Sequence, residues 1–442
     1  MRGFLGSLFL FVSTFIIIIS LSSKLIDFVN CITMERFHGL LGIILILMIA
    51  FLFSNNKKRI NYRLVISGII LQITIAVLVL KVPPVTWFFQ QLGHGMEKIE
   101  KFAREGVSFV YGGIMVAAPT GVQNFNQGGF VFAFSVTATI ILVCVLVAIL
   151  YHFGVMQLIV SVIAKAMNFI MRVSGAEALS NVASAFVGQV EAQVMIRPYL
   201  SSMTKSELLA SMSGSLACIA GGILIVYANM GAKAEYLLTA SLMAAPGALV
   251  ISKIVFPETE ESQTMGKVKL EVKSPYSNII DAISHGASDG MKISINVIAM
   301  LIGFIALIAF INWGMGLIYP GLTLDSLFSK LFFPMTWAMG VPSVDVANAA
   351  TLLGQKLTIN EFVAFNNLTS KAVPIVSEKG LLIVSIAICG FANFSSVGMQ
   401  IGGIGELAPT RRADLAKLGL KALLCGTLAS YLSASIAGIL MS

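Results

Sequence analysis

Hydrophobic positions along this chain gather into long, nearly unbroken runs separated by short polar breaks. The clearest cover 39–54, 64–82, 130–151, 208–228, 236–256, 292–313, 380–405 and 416–441. Most lie near the ~20 residues that a helix needs to cross a bilayer. A backbone in hydrocarbon must satisfy its own hydrogen bonds, so such runs are expected to be helices. Two stretches differ. In 84–105, Val85, Phe88, Phe89, Leu92, Met96 and Ile99 recur at three- and four-residue steps. Glu97, Lys98, Glu100, Lys101, Arg104 and Glu105 fill much of the opposite face. That pattern suits a helix lying in the membrane interface. Residues 154–172 repeat it more weakly, with Lys165 and Arg172 set against Met156, Ile159, Val162 and Ile163.

The same pattern divides the chain. Residues 1–33 carry Arg2 and the apolar stretch 8–20, which reads as a signal-like segment, an extra helix, or sequence upstream of a start at Met34. N-terminal scaffold helices follow over 34–151. Residues 152–256 then hold an interfacial helix and a first repeat, with a hairpin around 176–203. A polar loop at 257–277 leads into a second half over 278–442, with a hairpin around 343–372 and a broken helix around 389–398.

The two halves share an order. In the first, a small-residue stretch (Ser180–Ala185) precedes Gly188, Gln189 and Glu191. In the second, Ala347–Ala350 precedes Gly354, Gln355 and Glu361. Small and polar residues then interrupt the next span of each half, at Ser211–Ser215 with Cys218–Gly222, and at Cys389–Gly398. Matching hairpin-like segments and broken spans point to the binding site of a secondary transporter. The expected fold is therefore an all-α polytopic membrane protein: inverted repeats with two re-entrant helical hairpins and broken transmembrane helices.

Composition agrees. Of 442 residues, 57% are hydrophobic and only 11% charged, with a mean hydropathy of +0.91. A soluble domain carries about 25% charged residues, so this chain cannot coat itself for water. The net charge of +8 has a bland source, since cytoplasmic loops of membrane proteins retain Lys and Arg. Lys57, Lys58, Arg59 and Arg63 form one such cluster, and Arg411, Arg412, Lys417 and Lys421 another. Both read as cytoplasmic, which makes the two hairpins enter from opposite sides of the inner (plasma) membrane. No basic stripe is interleaved with aromatics, so no nucleic-acid partner is expected. Cys31, Cys144, Cys218, Cys389 and Cys425 are scattered without a CxxC, and the four histidines stand apart, so no metal site or organic cofactor is expected.

Ionisable residues at membrane depth need a reason. Glu191 in FVGQVEAQV and Glu361 in TINEFVAF lie among apolar neighbours near the two hairpin tips. Each either caps a half-helix, pairs with a lysine such as Lys356, or accepts hydrogen bonds from a polar solute. Asn393, Ser395 and Ser396, flanked by Phe391 and Phe394, either hold helices together or join Glu361 in a pocket suited to a sugar ring with a flat base. Gln189 adds a donor–acceptor pair able to read a base edge.

Gly354–Gln355–Lys356, followed after three residues by Asn360–Glu361–Phe362–Val363–Ala364–Phe365, resembles the G-x-K-x3-N-E-F-V-A-[YFM] signature of the concentrative nucleoside transporters. FVGQVEA resembles that family's first hairpin tip, and CGFANFSS and GGIGELAPTRRADL resemble its later helix and loop, over roughly 36–442. The resemblance implies a membrane-embedded homotrimer that imports nucleosides by elevator-type alternating access. It also implies that Gln189 and Glu191 contact the base, with Ile223 and Phe391 packing near it. Glu361, Asn393 and Ser396 would then hold the ribose hydroxyls. Sodium-coupled members carry Thr and Ser where this chain has Val190 and Cys218, and commonly Asn at Ser184. With Val190 and Cys218 at the ion position, Glu191 and Glu361 become the coupling candidates, so the driving ion expected is a proton, with sodium the alternative. Two further readings stay open: an ion-coupled carrier of another small polar solute such as a sugar or nucleobase, and a membrane-embedded enzyme. The second lacks an HExxH, GxSxG or comparable motif.

Overall fold

The computed structural model describes residues 38–88, 132–264 and 276–441, with part of 91–110. The leading segment 1–33, much of 84–105 and 265–275 of the polar loop lie outside the described residues. Among those described, every regular element is a helix. The principal α-helices, in chain order, are α1 (His38–Leu52), α2 (Tyr62–Lys81), α3 (Phe132–His152), α4 (Val155–Met171), α5 (Gly175–Ser184), α6 (Glu191–Val194), α7 (Arg197–Leu200), α8 (Lys205–Ala217), α9 (Gly221–Asn229) and α10 (Ala234–Val255). Then come α11 (Ile279–Ile318), α12 (Leu324–Ala338), α13 (Val346–Thr358), α14 (Glu361–Thr369), α15 (Glu378–Ile388), α16 (Phe394–Leu407) and α17 (Arg412–Leu440).

Three of these helices, α2, α10 and the stretch containing α17, are long and apolar enough to cross a bilayer unaided. The pair α3 and α4 is bent by 75°, with Gly154 in a left-handed conformation at the corner. Other crossings are made in two pieces. The apolar run 208–228 is α8 and α9, interrupted at 218–220, and the run 380–405 is α15 and α16, interrupted at 389–393. The run 292–313 is only part of α11, whose 40 residues begin in the polar stretch holding Asp281, His285, Asp289 and Lys292. Hydropathy alone truncates that helix.

Hydrogen bonds fix which ends share a face. Asn55 N donates to Val255 O at 2.9 Å, and Lys421 Nζ donates to Asn55 Oδ1 at 2.7 Å. Arg411 Nη1 donates to Met203 O at 2.7 Å. The turn after α1, the start of α8, the end of α10 and the start of α17 therefore lie together, and both basic clusters mark that face. On the opposite face Tyr236 at the start of α10 donates to Glu378 Oε1 at 2.5 Å, and Lys233 pairs with the same carboxylate. Thus α8 starts on one face and α15 on the other. The halves run in opposite senses.

Both hairpins return to the face they leave. Ser174 and Glu177 cap each other at the start of α5, and Thr204 and Glu207 do so at the start of α8, a reciprocal arrangement that satisfies two orphan donors. Thr264 joins the two ends: its carbonyl accepts from Gly175 N at 3.1 Å and its hydroxyl donates to Glu207 at 2.9 Å. In the second half Asp345 at the start of α13 accepts from Val376 N at 2.8 Å and Ser377 N at 2.9 Å, just before α15.

Packing separates a centre from a periphery. The apolar stretches of α10 and α17 are mostly buried, whereas α2 exposes Ile66, Ile70, Ile73 and Leu78. Gln72 ties three spans, its Nε2 donating to Met243 O and Ser433 Oγ, both at 3.0 Å. Helix α11 packs on α3 through Gly286 and Gly290. A Cβ there would stand 2.8 Å from Cys144 O and 2.6 Å from Ile141 Cα. Small residues four apart allow such an approach.

A buried ion pair locks the base of the first hairpin. Lys253 Nζ lies 2.8 Å from Glu177 Oε2 and 3.3 Å from Glu258 Oε2. Removing one partner of a buried pair costs about 3–5 kcal/mol because the other is left uncompensated. Lys253→Met should therefore melt at clearly lower temperature in detergent. The double variant Lys253→Met/Glu177→Gln, which keeps the capping oxygen, should melt above the single one. Equal melting of Lys253→Met and the unaltered protein would show that the pair contributes nothing.

Candidate functional site

A break in a membrane helix frees backbone groups that lipid cannot satisfy. Here the two breaks lie against each other. Phe391 N, in the second, donates to Cys218 O, in the first, at 3.3 Å. The approach requires Gly390, which has φ of +126° and whose Cβ would come within 2.4 Å of Ala217 O. Beside them stand the tips of both hairpins, formed by the turn 185–190 between α5 and α6 and by Ile359–Asn360 between α13 and α14.

The second tip carries a dense polar cluster. Glu361 is buried and opens α14, where a helix N-terminus favours an anion. Tyr227 of α9 donates to its Oε1 at 3.1 Å, and Asn393 Nδ2 donates to its Oε2 at 2.9 Å. Asn393 also caps α16, its Oδ1 accepting from Ser396 N at 2.8 Å. Tyr227 is held by rings: it stacks on Phe365 with centroids 4.4 Å apart and meets Phe362 edge-on at 5.6 Å. Glu361, Asn393 and Ser396 are thus brought together, with Phe391 on the segment leading into them. The carboxylate keeps acceptor capacity beyond its two donors.

The first tip is arranged differently. Gln189 Oε1 accepts from Gln400 Nε2 at 3.4 Å, and its Nε2 approaches Met399 Sδ at 3.9 Å, both on α16. Glu191 and Ile223 line a cavity of about 270 Å³. Its far wall is Cys144 and Tyr151 of α3 with Gly286 and Asp289 of α11. Glu191 and Ile223 therefore face the cavity, while Glu361, Asn393 and Ser396 form a separate, more enclosed group not on its lining.

The residues singled out for an ion are engaged with protein. Cys218 is fully buried, its Sγ 3.9 Å from Asn181 O. Ser184 Oγ donates to Ser180 O at 2.8 Å and pairs with Ser215 Oγ at 2.8 Å. The Val190 methyls face Gly403, where a Cβ would meet them at 2.6 Å.

A buried network supports this tip. Gln193 Nε2 donates to Ser180 Oγ at 3.0 Å and Ser215 Oγ at 2.8 Å, and its Oε1 accepts from Ser211 Oγ at 2.7 Å. Ser180 and Ser211 share a hydrogen bond of 2.5 Å. The sequence marks Ser180 and Ser184 as part of a small-residue stretch and Ser211–Ser215 as a small and polar interruption, without pairing them. Their spacing, four apart on each of two helices, was the available signal. Tyr227 was missed outright, since one tyrosine in the run LIVYAN gives no sign of its partner.

Comparison with known proteins agrees along the chain. Residues 236–438 match a family described as Na+ dependent nucleoside transporter C-terminus, 41–114 match its N-terminus, and 133–234 match a gate domain described as nucleoside recognition. The chain is 41% identical to the "Uncharacterized transporter YutK" of Bacillus subtilis over 412 residues, covering 92% of this chain and 100% of that one. It is 37% identical to the nucleoside permease NupC of Helicobacter pylori, covering 91% and 97%. Among solved structures, CNTnw in an inward-facing substrate-bound state superposes with a TM-score of 0.86 at 39% identity, covering 92% and 98%. An outward-facing variant of CNTnw gives the same TM-score over 92% and 99%.

The crossing of the two breaks makes a sharp prediction. Overpacking costs about 1–3 kcal/mol, and a left-handed position adds strain. Gly390→Ala should therefore sharply reduce the yield of monodisperse protein on size-exclusion chromatography. Gly398→Ala, where an added Cβ meets nothing within 4 Å, should not. Equal yields would mean that the breaks need not touch so closely.

Proposed function

The chain belongs to the concentrative nucleoside transporter family, and on that premise we propose that it imports nucleosides across the inner membrane, coupled to a proton gradient. In this reading the two hairpins and broken helices move as a unit against scaffold helices of 34–151, elevator-fashion, in a homotrimer. Glu361, Asn393 and Ser396 take the ribose hydroxyls. Gln189 and Glu191 take the base edge, and Ile223 and Phe391 pack on its faces.

The observation that carries this is the setting of Glu361. A carboxylate with one donor on each oxygen, at a helix N-terminus, is oriented yet still able to accept from vicinal hydroxyls. The neighbouring cavity is of a size and apolar character that suit a flat base. Glu361→Gln keeps the shape and turns one acceptor oxygen into a donor. A charge-assisted hydrogen bond contributes about 1.5–3 kcal/mol, so uridine uptake into proteoliposomes should fall roughly tenfold to more than a hundredfold. Normal uptake by that variant would remove Glu361 from the site.

Proton coupling rests on the missing oxygens. A sodium ion exchanges water for oxygen ligands, and an incomplete shell in a low-dielectric site is costly. Val190 offers methyls, Cys218 offers a sulfur directed at Asn181, and Ser184 is already bonded to Ser180 and Ser215. A proton needs no cage, only a carboxylate, and Glu191 and Glu361 are the candidates. Uptake should persist without sodium, rise as external pH falls from about 7.5 to about 5.5 because protons are then the driving ion, and collapse with a protonophore. Strict sodium dependence at constant pH would overturn proton coupling and leave the nucleoside reading intact.

A further inference from the structure

Lys356 stands in the last turn of α13, fully buried, and its Nζ has no hydrogen-bond partner among the described residues. A lysine is among the residues least often buried without a partner, so its presence here calls for a function. Three groups from other elements bear on it. The Tyr431 ring of α17 lies 5.9 Å from Nζ, at the outer limit of a cation–π contact. Cys389, where α15 ends, and Glu361, where α14 begins, act on it through space. Of these only Glu361 is a carboxylate.

The hairpin itself sorts the two charges. Lys356 sits at the C-terminal end of one half-helix, where carbonyls favour a cation. Glu361 sits at the N-terminal end of the next, where N–H groups favour an anion. Tyr227 and Asn393 hold the Glu361 oxygens by neutral donors, so no direct contact neutralises its charge. We propose that Lys356 is a positioning residue: its buried ammonium supplies the counter-charge that lets Glu361 stay a charged acceptor for the solute, without occupying either oxygen. Of the two coupling candidates, this leaves the proton to Glu191. The inference rests on the reading that Glu361 binds the ribose hydroxyls. A direct salt bridge would block the site, whereas a cation one helix end away stabilises the carboxylate and leaves it open.

A double-variant cycle tests this, reading both uridine half-saturation in proteoliposomes and melting temperature in detergent. Lys356→Met should raise the half-saturation concentration at least tenfold with little change in maximal rate. Added to Glu361→Gln, it should weaken uptake no further. Glu361→Gln alone should melt lower than the double variant, because it strands the buried ammonium. Independent, multiplicative effects on half-saturation, or a double variant melting below Glu361→Gln, would overturn the proposal while leaving Glu361 in the site. Unchanged half-saturation in Glu361→Gln would instead overturn the site reading. If Lys356→Met alone does not fold, recovery of folding in the double variant supports the pairing, and its failure beside a folded Glu361→Gln rejects it.

Discussion

Every helix broken inside a bilayer strands backbone donors and acceptors where no water can reach them, and the rest of this molecule is arranged around that cost. The two breaks, at 218–220 and 389–393, answer it by facing one another, with Phe391 N donating to Cys218 O. Two half-helices from each repeat therefore end at one place, and both hairpin tips reach the same level. Side chains that would be intolerable elsewhere in the span have partners there: Asn393 caps α16, Tyr227 and Asn393 hold Glu361, and Gln193 satisfies three serines. The site is polar because the backbone is broken.

The halves are related in course but not in chemistry. The first has one carboxylate at its tip, Glu191 facing the cavity, and stores the rest of its polarity beneath, in a neutral network of Ser180, Ser211, Ser215 and Gln193. The second places charge at the tip itself, Glu361 on one half-helix and Lys356 on the other. Neutral hydroxyls in low dielectric are satisfied cheaply when each meets a partner. Charges there are tolerated only when helix ends and counter-charges accompany them.

Much of this is legible in the sequence. Hydropathy runs reveal the spans, because the bilayer demands ~20 apolar residues regardless of tertiary packing. The interruptions at Cys218–Gly222 and Cys389–Gly398 contain the breaks, because small and polar residues cluster where the backbone leaves the helix, whereas Ser211–Ser215, read as an interruption with them, lies inside the unbroken α8. Glu191 and Glu361 stand out as charges among apolar neighbours. Other features are not legible. Whether Glu191 and Glu361 share one enclosure depends on how helices cross, and here Glu191 faces a cavity walled by α3 and α11 while Glu361 does not. Tyr227 is invisible because a partner 134 residues away leaves no local pattern. The start of α11 is hidden because its first three turns are too polar to register as a span.

The long helix α11 exceeds what a span requires. At about 1.5 Å per residue, the 40 residues of α11 extend about 60 Å, twice the ~30 Å hydrocarbon thickness. Even at the ~40° upper end of usual tilts, about 46 Å would remain along the normal. Its first turns, with Asp281, His285, Asp289 and Lys292, must then stand among headgroups and water. Asp289 shares the cavity with Glu191, so the polar end of α11 and the first hairpin tip line one chamber. One long helix thus carries both a span longer than the hydrocarbon and a carboxylate set opposite Glu191 across an enclosed volume.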